Sequence, residues 1–189
     1  RNTITGNSTG ILLDIRSNSN IMWNNTLNQS GTGRALSINS VANNTIGGGR
    51  IDASEGIDIE STGTGTGTNT IINLTFDKSD VSVGSGQVLV QWYLDVRIKN
   101  ATGNNISSAN VTIYNVSSVQ ETSVLTGADG TIPLQLFTEF MKNTSSTVYH
   151  TPHNVSATST SYLVNSTLVN LTQTNSTAVN VTLERDGPP

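Results

Sequence analysis

Asp14, Arg16, Asp58 and Glu60 stand in "ILLDIR" (11–16) and "GIDIE" (56–60), where alternation with aliphatic residues would turn them outward. Two carboxylates facing each other, one acting as acid and one as base or nucleophile, are what cleavage of a glycosidic bond requires. The matching outward positions of the other units are Ser37, Asn39, Ser82 and Gly84, and no Lys, His or Tyr base joins them. A solvated strand face has the same composition, so the pattern predicts a polar face and no catalytic residue.

The remaining candidates are sparse. His150 and His153, the two histidines, lie three apart in "HTPH" and could ligate a metal if carboxylates converged on them; Pro152 between them predicts a loop. Asp129 in "GADGT" could touch Ca²⁺, but Asp-Gly marks a turn. The Gly-Thr run at 63–68, closing on Asn69-Thr70, has no Lys and so is not a phosphate loop. Trp92 and Tyr93 could stack on a sugar, but Trp92 shares a strand face with five aliphatic residues and is expected in the core. No metal and no cofactor are expected.

One modification signal is dense. Asn-x-Ser/Thr occurs at Asn7, Asn24, Asn28, Asn43, Asn73, Asn100, Asn105, Asn110, Asn115, Asn143, Asn154, Asn165, Asn170, Asn175 and Asn180, which is 15 of 23 Asn. With 51 Ser and Thr among 189 residues, chance would give roughly 6 such sites. The excess points to N-linked glycans on an extracellular or cell-surface protein.

Composition narrows the partners. Charged residues make up 12% and the net charge is −4, without the basic patch that nucleic acid demands. Cysteine is absent, which excludes disulfides and thiolate metal sites. No apolar run is long enough to span a membrane. Neither an initiator Met nor a signal peptide opens the chain and "RDGPP" closes it, so both ends are expected to be cuts in a longer or processed protein.

The elements that would carry these residues are strands. RNTI (1–4), NNTL (24–27), NNTI (43–46) and TNTI (68–71) repeat Asn-Thr-aliphatic at spacings of 23, 19 and 25 residues. Each is followed by a short strand, with Leu13/Ile15, Leu36/Ile38, Ile57/Ile59 and Val81/Val83 as inward pairs. A period of this size made of short strands, Gly and Asn predicts a β-solenoid over residues 1–87. Asn2, Asn25, Asn44 and Asn69 are then expected to stack as an amide ladder at a corner. In each "NNT" the first Asn, Asn24 or Asn43, is the sequon and faces out, while the second faces its stacked neighbour. Residues 88–185 read as antiparallel strands in a β-sandwich of about seven strands, led by 88–100 with Val88, Val90, Trp92, Leu94, Val96 and Ile98 on one face. Residues 186–189 are a linker or cut end.

These coils resemble right-handed parallel β-helices of the NosD-like kind. "NATGNNISSANVTIYN", "TGADGTIPLQL" and "NSTAVNVTLE" resemble the carboxypeptidase-regulatory-like or prealbumin-like (Ig-like) sandwich, with "ISSA" replacing the usual Pro-Ile and no Gly before Tyr162. The combination looks like large archaeal surface proteins. It implies an all-β structural module of an envelope layer, sheath, filament or adhesin, self-associating or joined to neighbouring domains, and no enzyme. The alternative is a β-helix that binds or processes polysaccharide.

Overall fold

The computed structural model describes residues 2–6, 8–14, 17–40, 42–171 and 177–187. The protein is all-β, 59% strand and 2% helical. The chain divides into two compact units, Arg1–Gln91 with Phe140–Val148 and Trp92–Glu139 with Tyr149–Pro189.

The first unit is a β-solenoid of about three turns. One parallel sheet stacks β1 (Thr3–Gly6), β3 (Ile21–Gln29), β5 (Thr45–Ala53) and β7 (Thr68–Ile72), and then the opening residues of β9 (Gln87–Asn100). The other stacks β2 (Ile11–Leu13), β4 (Arg34–Asn39), β6 (Ile57–Thr62) and β8 (Val81–Val83), also in parallel. Thr3 lies opposite Thr26, Ile21 opposite Thr45 and Thr45 opposite Thr70, so successive turns take 23, 24 and 25 residues. One coil cannot bury its own aliphatic residues; stacking makes columns of them. Met22, Ile46, Ile71 and Val90 form one column, and Ile4, Leu27 and Ile51 another. Ile11, Leu36, Ile59 and Val81 line the second sheet.

The register corrects the expected alignment twice. Asn25 lies opposite Gly49, and by the same register Asn20 opposite Asn44. The four Asn-Thr-aliphatic units therefore fall in two columns: 2–4 over 25–27, and 44–46 over 69–71. The physical reason is a bend inside the long strands. Asn24, Gly48 and Asn73 have φ of 57, 60 and 47°, a left-handed corner that separates two half-strands of similar spelling. In the second sheet Leu36 stacks between Ile11 and Ile59, and Ile38 between Leu13 and Ser61, so the pairs Leu13/Ile15 and Ile57/Ile59 were each set two residues late or early. Ile15 lies outside the described residues.

In the second unit, β10 (Asn110–Tyr114), β11 (Gln120–Leu125), β14 (His153–Thr158) and β15 (Asn165–Val169) form an antiparallel sheet in the order β11-β10-β14-β15. β16 (Thr177–Leu183) runs parallel to the later part of β9, with Thr177 opposite Leu94. β12 (Gln135–Asn143) and β13 (Thr147–Tyr149) complete the strands. Along β9 Val88, Val90, Trp92, Leu94, Val96 and Ile98 are all buried, as their alternation requires. Val111, Ile113, Val155, Ala157, Val181 and Leu183 are buried from the neighbouring strands. β11 lies at the edge of its sheet. Its two ends are exposed and polar or aliphatic by turns, the weak signature of an edge strand.

Candidate functional site

The solenoid acids sit on the second parallel sheet. Asp58 follows the turn that ends β5 and is 3% exposed. Its Oδ1 accepts the main-chain N–H of Ala53 at 2.6 Å and its Oδ2 that of Asp77 at 2.6 Å. Burial pushes this carboxyl above its ordinary value, and the two N–H bonds act against the rise. Because the folded state holds the proton more tightly, this group favours folding below about pH 3.8 and loses that contribution as pH rises through the raised value. Glu60 is also buried, and the Arg34 guanidinium pairs with it. Asp14 is exposed and accepts from Asn39 Nδ2 at 2.8 Å. Strand register puts Glu60 beside Ser37 and Ser82, and Asp14 beside Asn39, so the carboxylates belong to different columns. Arg16 lies outside the described residues. Asp58 ties two loops together and Glu60 neutralises Arg34; neither presents a carboxylate to a saccharide from solvent.

In the second unit, a carboxylate does approach the histidines. His153, wholly buried, holds Nε2 3.1 Å from Glu121 Oε2, and His150 Nδ1 lies 4.0 Å from Glu121 Oε1. Despite that short separation neither ring nitrogen of His153 makes a properly directed hydrogen bond, so the Glu121 contact is a charge proximity and not a bond. The ring packs edge-on against Phe137 with centroids 5.3 Å apart. Burial lowers the His153 pKa, the Glu121 charge opposes this and His150 adds to it. Among the described residues no group of three or more His, Asp and Glu is placed to hold a metal ion.

Asp129 closes a turn: its Oδ1 accepts Thr131 Oγ1 at 2.8 Å and Thr131 N at 3.1 Å, which holds its carboxyl below the usual value. Trp92 is buried and donates from Nε1 to Glu139 Oε2 at 2.6 Å. Tyr93 is half-buried on the opposite side of the strand.

The Asn residues divide by environment. Asn44 and Asn69 are each 1% exposed. Asn20 N and Nδ2 donate to Asn44 Oδ1 at 2.9 and 3.1 Å, and Asn44 N and Nδ2 donate to Asn69 Oδ1 at 3.1 and 3.0 Å. Asn2 Nδ2 donates to Asn25 Oδ1 at 3.3 Å as a separate, exposed pair. Asn43 is exposed beside buried Asn44, and Asn24 exposed beside half-buried Asn25. Asn7 and Asn175 lie outside the described residues; none of the other thirteen sequon Asn is buried. Asn24, Asn43 and Asn73 occupy left-handed corners, where Asn is the best-tolerated side chain after Gly.

The residue that sequence inspection passed over is Trp23, 40% exposed on β3. The signal for it was the run Gly47-Gly48-Gly49 one turn later, which leaves room for a large side chain on the neighbouring coil. Among the described residues no helix is long and apolar enough to cross a membrane. No protein-family model matches the chain, and no curated protein matches it.

Proposed function

We propose that the chain is a structural module of an N-glycosylated extracellular or cell-surface protein, such as an envelope layer, sheath, filament or adhesin, and that it has no catalytic activity. In this proposal the solenoid is a right-handed parallel β-helix serving as a stiff rod. The second unit is an Ig-like, carboxypeptidase-regulatory-like spacer, and N-linked glycans, copies of itself or neighbouring domains are its partners. One observation carries it. All thirteen described sequon Asn are outside the core, whereas the two fully buried Asn, Asn44 and Asn69, are not in sequons. Glycan attachment needs an accessible amide, and an amide ladder needs an enclosed one. The alternative, a β-helix that binds or processes polysaccharide, rests on Asp14, Arg16, Asp58 and Glu60; Asp58 and Glu60 are buried and engaged, and Arg16 lies outside the described residues.

Glycopeptide mapping of protein from its native source tests the proposal. Sugar on several of the thirteen Asn, with Asn44 and Asn69 bare, is expected. Unmodified peptides at all of them would refute it.

A further inference from the structure

The signature Asn-x-Ser/Thr means that a transferase must reach two groups at once, the Asn carboxamide and the hydroxyl two residues on. In a strand these two share a face and the residue between them points the other way. Asn110, Asn154 and Asn180 are of this kind: they lie in β10, β14 and β16, and the residues that follow them, Val111, Val155 and Val181, are buried. Val111 stands opposite both Val124 and Ala157, and Asn154 opposite both Tyr114 and Leu168, so these two sequons belong to strands paired on both sides. Asn180 lies opposite Arg97. Lifting any of the three towards an enzyme breaks ladder hydrogen bonds and draws a Val out of the core. Asn165 has an exposed middle residue, Ser166, but it lies in β15 and its Nδ2 donates to the Thr182 carbonyl at 2.8 Å.

Three sequons are built differently. Asn100 and Asn143 are the last residues of β9 and β12, and Asn115 follows the last residue of β10. In each the carboxamide oxygen turns back onto the main chain and accepts the N–H of the sequon's own third residue: Thr102 N at 3.1 Å, Ser117 N at 3.0 Å and Ser145 N at 2.9 Å. A second N–H reaches each oxygen, from Asn104, Val119 and Ser146, at 2.9, 3.1 and 2.8 Å. The chain turns directly after the Asn, and the middle residues Ala101, Val116 and Thr144 are exposed. With the oxygen held by these donors, the nitrogen is left on the side away from them. Among the described residues Nδ2 makes no hydrogen bond within the chain at Asn100 or Asn143, and at Asn115 it makes one long bond, to Glu121 Oε1 at 3.4 Å. The first of these turns stands clear at Gly103, where an added Cβ would meet nothing within 4 Å.

We propose that Asn100, Asn115 and Asn143 are the sites at which the folded protein accepts sugar, while sequons held in paired strands accept it only before those strands form. This rests on the glycosylated-surface proposal above and deepens it, since it gives that surface an order of modification. In the transfer, Nδ2 gives one proton to a base of the transferase and bonds to C1 of the sugar. The bond from C1 to the phosphate of a lipid-linked donor breaks, and the phosphate leaves with the electron pair. At a turn the enzyme displaces exposed hydrogen bonds, which water or its own groups replace. At a strand it also exposes a buried Val, which alone should slow the reaction at least about ten-fold.

The test is transfer in vitro onto protein made in a host without N-glycosylation and shown to be folded by its β-rich circular dichroism. An oligosaccharyltransferase and a lipid-linked saccharide are added, and occupancy of each Asn is followed in time by glycopeptide mass spectrometry. Synthetic peptides spanning each sequon, assayed with the same enzyme, correct for its sequence preferences. Relative to their own peptides, Asn100, Asn115 and Asn143 should react at comparable rates, and Asn110, Asn154 and Asn180 at least about ten-fold more slowly. Asn165 should follow the strand group. Equal relative rates in the turn and strand groups, or a folded chain closed at every sequon, overturn the inference while reactive peptides leave the glycosylated surface standing. Peptides that accept no sugar at any sequon overturn both.

Discussion

Replacing Asn44 by Ala should destabilise the solenoid by about 2 kcal/mol, within the range for depriving buried polar groups of their partners. Asn44 Oδ1 takes both the main-chain N–H and the Nδ2 of Asn20, and its own Nδ2 donates to Asn69 Oδ1. The substitution removes all three bonds. It spares the bond from Asn44 N to Asn69 Oδ1, because that donor is main chain. Asn20 is exposed and can turn to water, which keeps the cost from the top of the range. For a chain of this size the loss corresponds to a fall in melting temperature of roughly 4–8 °C. Asn25→Ala is the matched control. Asn25 has a single long, exposed bond from Asn2 Nδ2 at 3.3 Å, so its removal should cost under about 0.5 kcal/mol. Urea unfolding followed by circular dichroism measures both. If Asn25→Ala proves as damaging as Asn44→Ala, the buried ladder does not run through Asn20, Asn44 and Asn69.

Acid should weaken the second unit through His153. Its folded pKa is lowered by burial, so the unfolded chain binds the proton first: stability is complete above about pH 6.5 and declines as pH falls through the folded value, at up to about 1.4 kcal/mol per pH unit. Glu121 and His150 face the same ring and modulate the slope; urea midpoints at several pH values should flatten in His153→Phe, and an unchanged slope would show that another group titrates. Glu139→Ala removes the carboxylate that accepts from Trp92 Nε1 inside the core and should cost about 1–3 kcal/mol, with Glu139→Gln, which keeps an acceptor, costing less. Equal unfolding midpoints for the two variants would mean that this acceptor contributes nothing.

The inner face of β9 was legible because six apolar residues alternate without interruption. The solenoid period was legible for a similar reason, since each coil repeats the same corner chemistry. The columns were not. Asn-Thr-Ile at 44–46 and Asn-Thr-Leu at 25–27 look alike, yet they serve two half-strands on either side of a left-handed corner. Only the backbone at Asn24, Gly48 and Asn73 tells the halves apart, and Asn and Gly are common elsewhere in this chain. Ser61 obscures the second sheet: it occupies a column with Leu13, Ile38 and Val83 that is otherwise aliphatic, so aliphatic alternation alone points to Ile57 and Ile59 instead.

A slip of two residues leaves every side chain on its proper side of a strand, because the side-chain period is two, while changing all of its neighbours across the coils. That is why Asp58 and Glu60 could be assigned to the outward side and still be misjudged. Outward on a strand means away from the solenoid core; it does not mean exposed. Whether an outward residue meets solvent depends on what the flanking chain does. Here the turn at Ala53 and the loop at Asp77 close over Asp58, and Arg34 from the preceding coil lies against Glu60. The ionisable residues most suggestive of chemistry thus act as fasteners between coils.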